Sequence, residues 1–168
     1  RRWDAELVGV DASQVYRGLD IGTGKARQAE LDGVVHHMLD LVEPSEHFDA
    51  AAFVLHADRV LADIAGRGKR AVLCGGTGLY LQALVEGLCA APPIEKTIKE
   101  ELRRRLSLGE VHLMHQELSQ VDPVAAEKIK PNDAQRTERA LGVWLSTGKP
   151  LSSWQSQHAF SERRYTVC

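Results

Sequence analysis

Aromatic residues are scarce in this sequence. Phe, Trp and Tyr make up 5% of the 168 residues, so any core must be built from Leu, Val, Ile and Ala. No apolar stretch approaches about 18 residues, which excludes a transmembrane helix, and no signal peptide is visible. There are only three cysteines, Cys74, Cys89 and Cys168. The number is odd and no pair has C-x-x-C spacing, which excludes a disulfide scaffold and predicts a reducing, cytoplasmic compartment. Cys74 lies in an apolar run and is expected as a buried free thiol. Neither sign of charge dominates. The 21 Lys and Arg against 23 Asp and Glu give a net charge of −2, which does not announce a non-specific nucleic-acid binder. Apolar residues at 43% and charged residues at 26% are those of a globular protein.

The first half alternates strand and helix signals. Leu7-Val8-Gly9-Val10 is a short apolar run ending at Asp11, and His37 to Val42 is a second. Phe53, Ala57, Val60, Leu61 and Ile64 recur at helical spacing, with Asp49 placed to cap the start and Gly66 or Gly68 to end it. Ala71 to Cys74 reads as a third strand. Gly75-Gly76-Thr77-Gly78 follows it, and then a helix over Leu79–Glu86. Strands separated by helices predict a parallel sheet with functional groups at the carboxyl ends of its strands. Asp11 and Thr77 both sit at such ends.

Pro92-Pro93 marks a boundary. Beyond it the pattern is helical over about Glu95–Leu108, Val111–Gln120, Pro123–Ile129 and Asp133–Thr147. Asp122-Pro123 is a cap followed by proline at the first helical position. Asn132 is expected to cap the fourth helix, and Gly148 with Pro150 to end it. Tyr165 to Cys168 reads as entry into another strand. Three short strands make a poor parallel sheet, since such sheets have both faces covered, so a fragment with sheet missing at both ends is expected. Charge follows the same division: residues 1–91 hold 9 basic and 13 acidic side chains, residues 92–168 hold 12 and 10. Basic residues cluster in Lys96–Arg105 and Lys128–Arg139.

Several motifs suggest chemistry, and each has an ordinary reading beside it. The Gly75–Gly78 turn places N–H groups at a helix start, where phosphate is favoured, or it is a plain strand-to-helix turn. Gly22-Thr23-Gly24-Lys25 imitates the tail of a Walker A loop. It fails because Leu19 stands where the first glycine belongs and Ala26 where Ser or Thr should follow. Lys25 is then expected to face solvent or a phosphate. Asp11 can act as a general base or cap the Asp11–Gln14 loop. Gln14 can pair with adenine N6 and N7. His36 and His37 point to opposite faces of a strand and cannot share a metal. His112 and His115 share a helical face without a third ligand type, so a solvated face and no metal site are expected. Arg136 and Arg139 offer two guanidinium groups on one helix face for phosphate or base contacts, unless Glu138 pairs with them.

Four stretches resemble the tRNA dimethylallyltransferase (isopentenyltransferase) family: Asp11 to Thr23, His36 to Asp40, Gly75 to Tyr80, and Val121 to Ala126 continuing through Pro131 to Arg136. They occur in the family's order and span most of residues 7–155. The resemblance implies a P-loop-NTPase-like α/β core, residues 1–91, incomplete here. It also implies an inserted all-helical tRNA-binding domain, residues 92–160, and a return to the core over 161–168. The implied activity is transfer of a dimethylallyl group from dimethylallyl diphosphate to N6 of the adenosine 3′ of the anticodon, tRNA position 37, by a cytoplasmic monomer. Asp11 then matches the general base and Thr77 a threonine at the reaction centre.

By the same resemblance, Asp11, Ala12, Ser13, Gln14, Thr77, Lys99, Gln135, Arg136, Thr137, Glu138 and Arg139 contact the anticodon stem-loop. The turn of Gly75, Gly76, Thr77 and Gly78, read from its place at a helix start, is the candidate contact for the diphosphate, which the resemblance pairs with Mg2+. The family's G-P-T-x-x-G-K-[ST] loop does not occur in these residues, and neither does its C-terminal third. Ala12 stands where Ser is usual, Gly24 where Ala is, Val35 where Pro is, and Lys99 where an Arg would supply a planar fork. A chain inactive alone is therefore expected. Two other functions remain open: an adenylate isopentenyltransferase acting on free nucleotide, and a non-catalytic RNA-binding remnant. A small-molecule kinase is disfavoured by the missing Walker A lysine.

Overall fold

The computed structural model describes residues 4–158 and 164–167, without the side chains of Gln28 and His158. The expectations for Cys168 and for 159–163 lie outside the described residues. Three strands, β1 (Ala5–Gly9), β2 (His36–His37) and β3 (Arg70–Cys74), form a parallel sheet in the order β2-β1-β3. Helices follow as α1 (Ala50–Gly66), α2 (Gly78–Glu86), α3 (Lys96–Ser107), α4 (Val111–Val121), α5 (Pro123–Lys128), α6 (Ala134–Thr147) and α7 (Leu151–His158). The chain divides into two compact units, Arg1–Leu88 with Glu162–Cys168, and Cys89–Ser161.

In the first unit the strand period decides which side is buried. Glu6 and Val8 of β1 face α1 and are buried, while Leu7 and Gly9 point the other way and stay half-buried. Phe53, Ala57 and Ile64 of α1 and Tyr80 and Leu84 of α2 close this side around Val8, Val10, Val15 and Met38. Phe53 and Tyr80 stack at 4.6 Å. Asp49 caps α1 by accepting from the N–H groups of Ala51 and Ala52, as its position in the sequence predicts.

Three expectations for this unit are overturned. The apolar run from His37 to Val42 is a strand only at His36–His37. Met38 and Asp40 take left-handed conformations, φ 67° and 53°, and turn the chain back so that the Leu41 and Val42 N–H groups both donate to the Val15 carbonyl. Cys74 is exposed, not buried, because it lies on the half-covered side of the sheet at the end of β3. Arg164 to Val167 do not form a strand. Instead Arg164 donates from its N–H to the Val85 carbonyl and from its guanidinium to Leu84 and Asp58, and the Tyr165 hydroxyl donates to Asp58.

The second unit has its own apolar core of Leu102, Met114 and Leu141, extended by Leu118, Ala125, Ala126 and Ala140. Gly148 ends α6 in a left-handed conformation. Two expectations change. Asp133, not Asn132, caps α6 by accepting from Arg136 N–H, and α7 forms where the sequence shows only Gly and Pro breakers before it. Asp122 explains α7: one carboxylate oxygen accepts from Ala125 N–H to cap α5, and the other accepts from Ser152 N–H in the first turn of α7.

Candidate active site

β1 and β3 are parallel neighbours, so their carboxyl ends lie side by side and the loops leaving them meet. Val10 N–H donates to the Cys74 carbonyl at 2.8 Å, and Thr77 N–H donates to the Val10 carbonyl at 3.1 Å. The approach is close enough that a Cβ on Gly75 would sit 2.2 Å from the Val10 oxygen, so only glycine fits there. The first glycine of the Gly75–Gly78 turn thus serves loop packing. Thr77 and Gly78 already use their N–H groups on the carbonyls of Val10 and Gly76, which leaves the turn a poorer anion cradle than its sequence suggests.

Thr77 occupies the cap position of α2 but makes no side-chain cap bond there. Its Oγ1 instead accepts from Ala12 N–H at 2.9 Å, 65 residues away in sequence. This bond joins the two strand tips and leaves the hydroxyl proton free to be donated elsewhere. Asp11 caps its own loop with one half of its carboxylate. One carboxylate oxygen accepts from the N–H groups of Ser13 and Gln14, at 2.8 and 3.2 Å, and the other has no hydrogen-bond partner among the described residues. Asp11, Ala12 and Gln14 are half-buried and Ser13 is exposed. Gln14 donates from Nε2 to the Thr23 carbonyl at 3.0 Å, which fixes its amide plane.

Lys25 corrects the sequence reading. It faces neither solvent nor an open site: its side chain is 4% exposed, and Nζ donates to the Tyr16 carbonyl, to Asp20 and to Asp40. Burial acts to lower its pKa, but the bonds to Asp40 and Asp20 outweigh it, and the ammonium is held charged. Glu6 was not singled out by sequence reasoning. It is buried beneath β1, where both guanidinium nitrogens of Arg67, Lys69 at 3.0 Å and His37 at 2.7 Å converge on it. Arg67 above all, then His37, hold its carboxyl well below the usual range. Its only sequence signal was a charged residue on the core face of a strand.

In the second unit the predicted contact residues differ in exposure and in their partners. Gln135 and Arg136 are exposed, and Arg136 lies 3.4 Å from Asp133. Thr137 is fully buried, with its hydroxyl unpartnered. Glu138 pairs with Arg103 of α3 at 3.5 Å, not with its helical neighbours. Arg139 turns back to donate to the Ala91 and Pro92 carbonyls, both at 3.3 Å, so of the expected pair only Arg136 keeps an exposed guanidinium, and that one is paired with Asp133. Lys99 is half-buried on α3. His112 is solvated as expected, but His115 contacts the Ile129 carbonyl at 2.8 Å and secures the end of α5. Among the described residues, no three His, Cys, Asp or Glu side chains converge as metal ligands, and no helix is long and apolar enough to cross a membrane.

Fold and site together define an α/β protein with candidate functional side chains at the tips of a parallel sheet and a helical unit inserted in its chain order. A profile of the IPP transferase family matches residues 14–168, and the chain belongs to this family. It is 47% identical over 164 residues to the tRNA dimethylallyltransferase of Geobacter metallireducens, covering 98% of this chain and 53% of that protein. Against the tRNA dimethylallyltransferase of Geobacter sulfurreducens the figures are 44% over 160 residues, 95% and 51%. The chain spans about half the length of the curated relatives it matches. Among solved structures, it resembles the full-length tRNA isopentenylpyrophosphate transferase of Bacillus halodurans, with 39% identity and a TM-score of 0.53 over 89% of this chain and 50% of that one. It also resembles a eukaryotic dimethylallyltransferase acting on tRNA, with 29% identity and a TM-score of 0.75 over 99% of this chain and 40% of that one. The P-loop-like α/β fold class expected from the sequence is the one these neighbours share.

Proposed function

We propose that this chain carries part of the machinery that transfers a dimethylallyl group from dimethylallyl diphosphate to N6 of adenosine 37 in a tRNA anticodon loop. The observation that carries the reading is the hydrogen bond from Ala12 N–H to Thr77 Oγ1, which brings a carboxylate and a hydroxyl to adjacent strand tips. An exocyclic adenine amine is a weak nucleophile because its lone pair is delocalised into the ring. As N6 bonds to the allylic carbon, the carbon–oxygen bond breaks and diphosphate leaves with the electron pair. The partner-free oxygen of Asp11 accepts the N6 proton. Such a base contributes about 10²–10⁴ in rate when the reactants are held in line. The Thr77 hydroxyl proton is available to the substrate oxygen that gains charge.

Gln14 supports adenine recognition. With one Nε2 hydrogen held by Thr23, the other and the free Oε1 match adenine N7 and N6–H. The base must leave its stack to reach the strand tips, at about a few kcal/mol. Phosphate contacts from Arg136, Gln135 and Lys99 on the helical unit offset that cost. Magnesium, which the family resemblance brings with diphosphate, finds no ligand set of three His, Cys, Asp or Glu among the described residues. A soluble monomer in the cytoplasm fits this reading.

The test joins this segment in register to the flanking parts of the Geobacter metallireducens relative and measures prenyl transfer to an anticodon stem-loop and to AMP. Transfer to the stem-loop that AMP does not compete away supports the reading. Preference for AMP would favour an adenylate isopentenyltransferase, and no transfer to either would leave an RNA-binding remnant. The 168-residue chain alone is expected to give no turnover.

A further inference from the structure

Lys25 is the one buried cation among the described residues, and prenyl transfer as derived above makes no use of it. Its three ammonium hydrogens are all directed: to the Tyr16 carbonyl at 2.6 Å, to Asp20 at 2.9 Å and to Asp40 at 2.7 Å. Tyr16 and Asp20 lie in the segment that follows β1, and Asp40 lies just past β2. Asp40 is the hub. Its N–H donates to the Gln14 carbonyl at 3.2 Å, and its own carbonyl accepts from Arg17 Nε at 3.0 Å. The side chain of Gln14 is held by the Thr23 carbonyl, two residues before Lys25 in a loop closed by Lys25 N–H donating to the Asp20 carbonyl, while its N–H donates to Asp11. Backbone and side chain of Gln14 are thus each gripped by a segment that Lys25 pins.

We infer that Lys25 is a positioning residue that sets adenine specificity by holding the Gln14 amide in one orientation at the strand tip. It touches no substrate. A buried ammonium with three fixed acceptors braces the loop in a way a flexible surface lysine cannot, because releasing it would strand a charge away from water. The Gln14 amide then meets adenine with one donor and one acceptor already in plane, at no ordering cost on binding. This inference rests on the prenyl-transfer reading.

The test uses the same chimera with stem-loops carrying adenosine or 7-deazaadenosine at the target position. With Lys25 present, loss of the N7 acceptor is expected to lower kcat/KM about five- to tenfold, the effect of one hydrogen bond. In K25M the same change is expected to cost less than about twofold, because Gln14 no longer reads N7. A purely structural role lowers transfer to both substrates alike and leaves their ratio unchanged. That result, full discrimination kept by K25M, overturns the inference. If K25M fails to fold by circular dichroism, the D20N/D40N double variant carries the test. It keeps hydrogen-bond acceptors and loses the charges, and it is expected to lower discrimination in the same direction. Retained discrimination there also overturns the inference. Absence of transfer by the parent chimera would overturn the prenyl-transfer reading itself.

Discussion

In the proposed transfer a single carboxylate at the tip of β1 serves twice, and its two oxygens divide the work. One oxygen of Asp11 orders the Ser13–Gln14 turn, and the other is left for a proton. Asn in its place keeps the first role and loses the second. Asp11→Asn in the active chimera is expected to lower prenyl transfer about 10²- to 10⁴-fold while stem-loop binding, read by fluorescence anisotropy, stays within about twofold. Equal loss of binding and transfer would argue that the residue only shapes the loop. Thr77 makes a parallel case. Thr77→Ser retains both the acceptor for Ala12 N–H and the donor, and is expected to stay close to the parent rate. Thr77→Val fills the same space without either and should lose about 10²-fold. Tyr80 lies under these tips, and its hydroxyl pKa is raised, mainly by burial and further by the nearby carboxylates of Asp49 and Asp11, so it stays neutral near neutral pH.

At the scale of elements, two buried carboxylates secure connections that propensity alone leaves loose. Glu6 ties β1 to the end of α1 through Arg67 and to the start of β3 through Lys69. Its folded pKa lies below the ordinary 4.5, so its contribution is complete above the ordinary value and is lost as pH falls toward the depressed one. Thermal melts of the chain should therefore show an acid limb beginning near pH 5 that Glu6→Gln flattens; an unchanged limb would assign it to other carboxylates. Asp122 plays the corresponding role in the helical unit, capping α5 and receiving Ser152 from α7. Asp122→Ala leaves the buried Ala125 N–H and the half-buried Ser152 N–H without this acceptor and is expected to cost about 2–3 kcal/mol, measured as a lower urea midpoint. Loss of α7 signal by hydrogen exchange should accompany it.

At the scale of the molecule, each unit closes its own core. The helical unit draws its buried side chains from Leu102 to Val143, and its entering segment is strapped along one face of α6. Arg139 holds the Ala91 and Pro92 carbonyls, Ile94 fills the notch at Gly142, and Ser146 accepts from Glu95 N–H. Residues 89–161 expressed alone are therefore expected to give a helical circular dichroism spectrum and a cooperative thermal transition; a featureless melt would show that the unit depends on its neighbour. The first unit is different, because its sheet is covered on one side by α1 and α2 while Leu7 and Val72 on the other stay half-buried and Cys74 is exposed.

Local rules were enough to read much of this from the sequence. The helical periods from Phe53 to Ile64 and through α3 to α6, the caps at Asp49 and Asp122, the left-handed Gly148 and the strand-tip placement of Asp11 and Thr77 all depend on neighbours within a few residues. What local rules cannot supply is the partner of a side chain far along the chain. The Ala12–Thr77 bond, the burial of Lys25 between Asp20 and Asp40, and the cluster of Arg67, Lys69 and His37 around Glu6 arise only when β1, β2 and β3 stand side by side. The same holds where patterns misled. The apolar run after His37 failed as a strand because the carbonyl of Val15 took its N–H groups, and Arg139 failed as a free guanidinium because the Ala91 and Pro92 carbonyls lay within its reach. Sequence period decides which face of an element is apolar; only the packed chain decides which charge meets which, because that energy depends on distances between residues that no spacing encodes.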